Sequence, residues 1–305
     1  MKKIAISGAS GLVGSALVSA LQAAGYTIGR LVRSAVAPMD SDSGTATSTI
    51  VWDPRSPLPA GALQGYDVLI HLAGENIASG RWTDARKKKI RESRVGGTSI
   101  LVESLLKSSG GPKTLVCASA IGYYGDRADE ILVESSAAGD GFLADVCRQW
   151  EAATKPAGAA GIRVANLRFG IILARQGGML KKVLTPFRLG AGGRVGNGRQ
   201  YMSWVALGDV VSAIQQVIEK GSLSGPVNVV APNPVTNAEF TQVMGKVLSR
   251  PTVFPLPALA VRTLLGEMGE ELLLGSQRVE PARLLASGFE FTYSQLEGAL
   301  RAILR

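Results

Sequence analysis

Histidine occurs once in this 305-residue chain, at position 71, and cysteine only twice, at 117 and 147. A Ser-His-Asp hydrolase or a histidine-based metal centre would have to use His71. That residue lies inside an apolar run (DVLIHL, 67–72) with neither pattern around it, so a core histidine is the reading and no metal site is expected. Two cysteines offer no disulfide framework and no ligand spacing. No stretch has the length and apolarity of a membrane span, and the opening Met-Lys-Lys is followed only by a short apolar run, too short for a secretory leader. These absences predict a reducing, cytoplasmic setting with no membrane partner. Acidic residues are also in deficit, 24 against 33 Lys and Arg, for a net charge of +9. The excess is spread along the chain and is densest at Arg86-Lys87-Lys88-Lys89, continuing to Arg91 and Arg94. No zinc-finger, basic-zipper or RNA-binding pattern accompanies it, so nucleic acid is not an expected partner. It reads either as a solvated helix face or as an attraction for an anionic ligand.

What is present is a globular composition, 46% hydrophobic and 19% charged, with enough material for a sizeable core. The chain is organised around residues 3–17, KIAISGASGLVGSAL. A short apolar run stops at Gly8, Gly11 and Gly14 follow at G-x-x-G-x-x-G spacing, and a helix-forming run begins. Strand, glycine turn and helix in this order make a dinucleotide cradle. Gly8 permits the tight turn, Gly11 lets the backbone approach a pyrophosphate, and Gly14 lets the helix pack on the strand. The free N–H groups of the helix terminus face the phosphates.

The end of the next strand (26–33, YTIGRLVR) selects the cofactor. An NAD site places Asp or Glu there to bond the ribose 2′-hydroxyl. This chain has Arg33, with Arg30 upstream and no acid. A guanidinium clamps a 2′-phosphate in bidentate fashion, which favours NADP.

Downstream, 35–49 is a small polar loop and 50–53 a short strand. Residues 67–72 form a buried strand ending in Ala73-Gly74-Glu75-Asn76, and 81–107 a long basic helix. The strand at 114–118 runs into SAIGYYG, 126–141 is a polar loop, 142–153 a helix, and 164–169 a strand followed by Gly170-Ile171-Ile172. Residues 177–200 are rich in Gly, Lys and Arg. A strand at 202–205, a helix at 207–220, a strand at 227–230 and a final amphipathic helix at 294–304 complete the chain. The β-α alternation predicts an α/β fold with a doubly wound parallel sheet: a dinucleotide-binding domain over 1–230, with a substrate-side insertion at about 175–204, and a smaller C-terminal α/β domain over 231–305. Arg188, Arg194 and Arg199, with Gln200 and Trp204, are the expected wall for an anionic ligand, against the alternative of a loop with solvated arginines.

The whole chain resembles the atypical extended short-chain dehydrogenase/reductases, the epimerase family proteins with a DUF1731-type C-terminal domain. The motifs are GASGLVG at 8–14, LAGENIASGRWTDARKKKIRESRV at 72–95, SAIGYYG at 119–125, WEAAT at 150–154 and FRLGAGGRVGNGRQYMSWV at 187–205. RPTVFPLP at 250–257 and LLGSQRVEPARLLASGFEF at 273–291 complete the set. The resemblance implies an NADP-binding Rossmann domain. Gly8, Ser10, Gly11, Leu12, Val13 and Gly14 would lie on the pyrophosphate. Val32 and Arg33 would meet the adenosine phosphate, and Leu72, Ala73, Gly74 and Glu75 would lie along the ribose. Arg94 would contact a phosphate or the 2′ side, and Ile171 would pack near the nicotinamide. It also implies a small-molecule substrate and a monomer or homodimer.

Active members of that superfamily use a Tyr-x-x-x-Lys pair, the Tyr as acid/base and the Lys lowering its pKa. Here Leu143 and Cys147 stand at the aligned positions, and the hydroxyl position falls on Ala120 with Ser119 beside it. Two readings follow. In one, a relocated acid, Tyr124 (or Tyr123) with Ser119, serves an NADP-dependent oxidoreductase or epimerase. In the other, the protein binds NADPH without turnover, as a sensor.

Overall fold

The computed structural model describes residues 2–33 and 47–305. Part of the loop expected at 35–49 therefore lies outside the described residues. Seven parallel strands form the central sheet: β1 (Lys3–Ser7), β2 (Thr27–Val32), β3 (Thr47–Val51), β4 (Val68–His71), β5 (Thr114–Ala120), β6 (Arg163–Phe169) and β7 (Gly225–Val229). Their spatial order is β7-β6-β5-β4-β1-β2-β3. The chain winds outward from β1 in one direction and then, from β4, in the other. The reversal point lies between β1 and β4, where an open α/β sheet leaves a crevice at the strand C-termini.

The strands are apolar on both faces because helices cover both. Period-two alternation sorts them: Ile4, Ile6, Val68, Ile70 and Val116 join one core, while Ala5, Leu69, Leu115 and Cys117 join the other. Helix α1 (Leu12–Ala23) and a helix at Leu207–Glu219 pack on the first face. The second takes the expected long helix, which is Asp84–Arg91 (α2) and Gly97–Leu106 (α3) joined by a wide turn at Glu92–Gly96, and helix α4 (Phe142–Ala152). Such a wide turn inserts a residue into the helical ladder and is often found at functional sites.

Two helices were not foreseen. Gly178–Arg188 (α5) lies in the stretch read as Gly- and Arg-rich, and Asn237–Leu248 is closed at its start by a reciprocal Thr236–Glu239 capping box. The last 75 residues are woven back into the body. Arg278–Val279 pairs with Ile131–Leu132 inside the expected polar loop, Leu284 and Phe289 enter the first core, and the final helix (Leu296–Leu304) packs on Asn237–Leu248.

His71 is fully buried at the end of β4. Its Nδ1 lies 2.6 Å from Ser7 Oγ, with Trp52 edge-on to the ring. Burial pushes its pKa down to about 4, so the ring stays neutral in the fold and charges readily only on unfolding. The folded-state stability this preserves is complete above the unfolded value near 6.5 and is lost as pH falls below it. Denaturant titrations should therefore show a loss from this residue of about 3 kcal/mol between roughly pH 6.5 and pH 4. His71→Gln should flatten that part of the pH–stability curve; an unchanged slope in the variant would refute the assignment.

Candidate functional site

The glycine turn closes the C-terminal edge of β1. Gly8 has φ +74°, and a Cβ there would come within 2.7 Å of the Leu72–Ala73 backbone. A Cβ on Gly14 would lie 2.1 Å from the Gly8 carbonyl oxygen. The turn, the first coil of α1 and the segment after β4 therefore meet backbone to backbone, with no room for side chains. Gly11 heads α1 and is exposed; a Cβ there would meet only the Gly8 oxygen, at 3.3 Å. The first turn of α1 carries no acid and no side-chain cap, so its N–H groups are open to an anion. Ser10 is exposed, and Leu12 and Val13 are half-buried. At the end of β2, Val32 is half-buried and Arg33 exposed, and no carboxylate follows among the described residues of that strand end. The open glycine at a helix head fits the pyrophosphate of a dinucleotide, and Arg33 is exposed at the end of the neighbouring strand.

Leu72, Ala73, Gly74 and Glu75 line the opposite wall, after β4. The basic helix holds that wall with part of its charge, while Lys88 and Lys89 stay exposed on its solvated face. Arg86 bonds Glu75 Oε1 at 2.7 Å and also the Asn76 carbonyl and Ser79 hydroxyl. Arg94, in the wide turn, donates to the Glu75 carbonyl oxygen at 3.0 Å and stacks 5.1 Å from the Trp150 ring. Burial lowers its pKa. Arg91 reaches Asp145 at 2.7 Å, and Lys87 reaches Glu267. Four cations of the run are thus turned inward as straps. Arg94, expected on a cofactor phosphate, here bonds the loop backbone.

The two hydroxyls expected to do chemistry are placed in the interior. Tyr124 has 0% exposure. Its hydroxyl donates to Asn228 Oδ1 (2.7 Å), lies 3.1 Å from the Val133 carbonyl oxygen and accepts from Arg168 (2.9 Å). Burial raises its pKa to about 12. Ser119 donates to Glu151 at 2.7 Å and is equally buried. Both belong to one network, centred on the bidentate Arg168–Glu151 pair (both bonds 2.8 Å). Burial opposes the guanidinium's charge, but the bonds to Glu151 override it and hold its pKa above the usual value. Strand alternation explains the placement of Ser119: it shares the face of Leu115 and Cys117, which α4 and its Glu151 cover. Tyr124 and Ser119, expected as a catalytic pair, are thus both held in this buried network. The remaining phenol, Tyr123, is half-exposed and lies with its ring 3.5 Å from the Arg168 guanidinium.

On α4, Leu143 and Cys147 do face the turn at 121–124. A Cβ on Gly122 would meet Leu143 Cβ at 3.2 Å and Cys147 Sγ at 3.8 Å. Burial raises the Cys147 thiol to about 12. The head of α4 is capped from the far end of the chain, where Glu271 accepts from the Phe142 and Leu143 N–H groups at 2.7 and 2.9 Å. Sequence reasoning missed Glu271, because no local spacing links it to residue 142. Arg168 was detectable: an arginine inside an apolar strand demands a buried carboxylate.

Ile171 is half-buried beside β6, pairing with Trp204. The expected anionic wall is split. Arg188, Arg194 and Arg199 are exposed. Gln200 is buried, donating to the Val195 and Leu273 carbonyls, and Trp204 is a core side chain bonded to the Asn233 carbonyl.

Sheet order, glycine turn and reversal-point crevice together define a Rossmann-type α/β protein with a dinucleotide cradle. Sequence comparison narrows the class. Residues 4–230 match the NAD dependent epimerase/dehydratase family and residues 256–303 match DUF1731, a domain of unknown function; the chain belongs to the NAD dependent epimerase/dehydratase family. An epimerase family protein of Mycobacterium tuberculosis is 45% identical over 97% of this chain and 96% of its own length. One from Arabidopsis thaliana, described as chloroplastic, is 37% identical over 99% of this chain and 86% of its own. The crystal structure of human epimerase family protein SDR39U1 with NADPH superposes with a TM-score of 0.86 at 32% identity, covering 99% of this chain and 98% of that one. Among the described residues no helix is long and apolar enough to cross a membrane.

Tyr124→Phe should cost about 1–3 kcal/mol in chemical denaturation, because it strands buried Asn228 and Arg168 groups. Dinucleotide affinity should stay unchanged. A variant as stable as wild type would show that the network is not a structural hub.

Proposed function

We propose that this chain binds NADP(H) and acts as an oxidoreductase or epimerase on a small anionic molecule. The observation that carries the reading is the complete glycine turn beside a strand that ends in exposed Arg33 and offers no carboxylate. The human relative described with NADPH supports it. In this reading Gly8, Ser10, Gly11, Leu12, Val13 and Gly14 surround the pyrophosphate. Val32 and Arg33 meet the adenosine 2′-phosphate, Leu72–Glu75 flank the ribose, and Ile171 packs near the nicotinamide. The bound dinucleotide supplies or accepts hydride. The chain's part is to fix it: the N–H groups of α1 hold the phosphates, and Arg86 and Arg94 set the 73–79 wall before any ligand arrives. Arg194 and Arg199, both exposed, attract the substrate's negative charge. Tyr123 is the phenol left to serve as proton donor, a role its half-exposed ring permits and the interior position of Tyr124 does not. The two buried free thiols suit a reducing, cytoplasmic setting.

One observation favours a second reading, an NADPH sensor without turnover: Leu143 and Cys147 fill the face of α4 where the acid–base pair would stand, and neither carries a group for proton transfer at neutral pH.

Calorimetry should give NADPH a clear preference over NADH, and Arg33→Ala should weaken NADPH by roughly 10- to 100-fold, the value of a lost charged bond. Equal affinities would overturn the cofactor assignment. In a carbonyl and nucleotide-sugar panel, Tyr123→Phe should abolish NADPH oxidation. Bound NADPH that stays reduced throughout would establish the sensor.

A further inference from the structure

The loop that follows α5 and the segment that enters the C-terminal part run side by side on one surface. Arg250 Nε bonds the Arg188 carbonyl at 2.8 Å, Leu256 N bonds the Arg194 carbonyl at 2.8 Å, and Gly196 N bonds the Leu256 carbonyl at 2.8 Å. A Cβ on Gly193 would collide with the Phe254 carbonyl, so the two backbones are in direct contact. The surface they build is unusually apolar. Leu189 is 78% exposed, Val253 69%, Phe254 63% and Leu259 71%, and exposed prolines at 251, 255 and 257 continue it. None of the described residues covers these side chains. Single exposed leucines are ordinary, but a contiguous run of this kind marks a contact surface. Its prolines remove the N–H donors that would let it pair as a strand.

The charge of the same surface says what the contact is. Residues 174–202 and 249–266 contain eight arginines and lysines and no Asp or Glu. Arg188, Arg194, Arg199 and Arg250 are exposed among them. Glu270 and Glu239, beyond these segments, are already engaged, Glu270 by Arg262 at 2.6 Å and Glu239 in its capping box on Thr236. An apolar ridge ringed by uncompensated cations complements a layer that is anionic at its surface and apolar beneath it.

We propose that this face docks peripherally on anionic lipid bilayers, with Leu189, Val253, Phe254 and Leu259 entering the interface and Arg188 and Arg250 on the headgroups. This departs from the expectation of no membrane partner, which rested on the lack of a spanning segment. A surface assembled from residues about sixty positions apart leaves no such segment.

The test is co-sedimentation of the full chain with phosphatidylcholine vesicles, with and without phosphatidylglycerol. Binding should require the anionic lipid and weaken with salt. Leu189→Ser/Phe254→Ser should lose at least about tenfold in vesicle partitioning, and Arg188→Glu, whose side chain makes no bond among the described residues, should do the same. Circular dichroism melts should match wild type. Failure of the wild-type chain to bind anionic vesicles overturns the proposal. So does a variant pair that binds as well as wild type while heparin or duplex DNA competes, which would mark a polyanion surface. A solution dimer that Phe254→Ser dissociates would assign the face to a second copy and overturn it equally.

Discussion

One buried cation dictates much of the layout behind the crevice. Arg168, 2% exposed on β6 beside the edge strand β7, has all three nitrogens bonded. Nε and one terminal nitrogen bond Glu151, and the other bonds the Tyr124 hydroxyl and, at 3.3 Å, the Glu134 carbonyl. A guanidinium removed from water is tolerable only when it is satisfied in this way. The bonds join β6, α4 and the turn at 121–124. Through Asn228, which donates to the Glu280 carbonyl, they reach β7 and the C-terminal part. The same demand draws Ser119 onto Glu151 and Tyr124 onto Arg168. Polar groups that in sequence look available for chemistry are consumed in keeping a charge solvated by protein.

The front of the site follows a different logic, that of backbone contact. Gly8 and Gly14 let three chain segments meet without side chains. Arg86 and Arg94 then tie down the loop on the far wall. The cradle is therefore stiff before a ligand binds, and its electrostatics come from helix N–H groups and from Arg33, exposed at the edge. Rigid cradle, interior network and acid-free outer face are three separate uses of charge in one chain with an excess of cations.

Much of this was legible from residues alone. The seven strands, the glycine turn and α1 are local features. Their apolar runs, their alternation and the G-x-x-G-x-x-G spacing act over distances of a few residues. Helix α5 was not legible, because Gly177, Gly178 and its lysines mask an apolar stripe of Leu180, Leu184 and Phe187 that only packing reveals. The capping of α4 by Glu271 joins positions 129 apart, and the pairing of Arg278–Val279 with Ile131–Leu132 joins the chain's middle to its end.

The sequence by itself determined the fold class, the cradle and the absence of a Tyr-x-x-x-Lys pair, because these depend on residue identity at short spacing. Tertiary structure decided which side of β5 each hydroxyl faces, which arginines are straps and which stand in solvent, and that two distant segments share one apolar, cationic face. Those outcomes depend on what each side chain meets across the fold. A strand's pleat turns Ser119 toward α4, and a buried guanidinium takes a carboxylate and a phenol whatever their place in the chain.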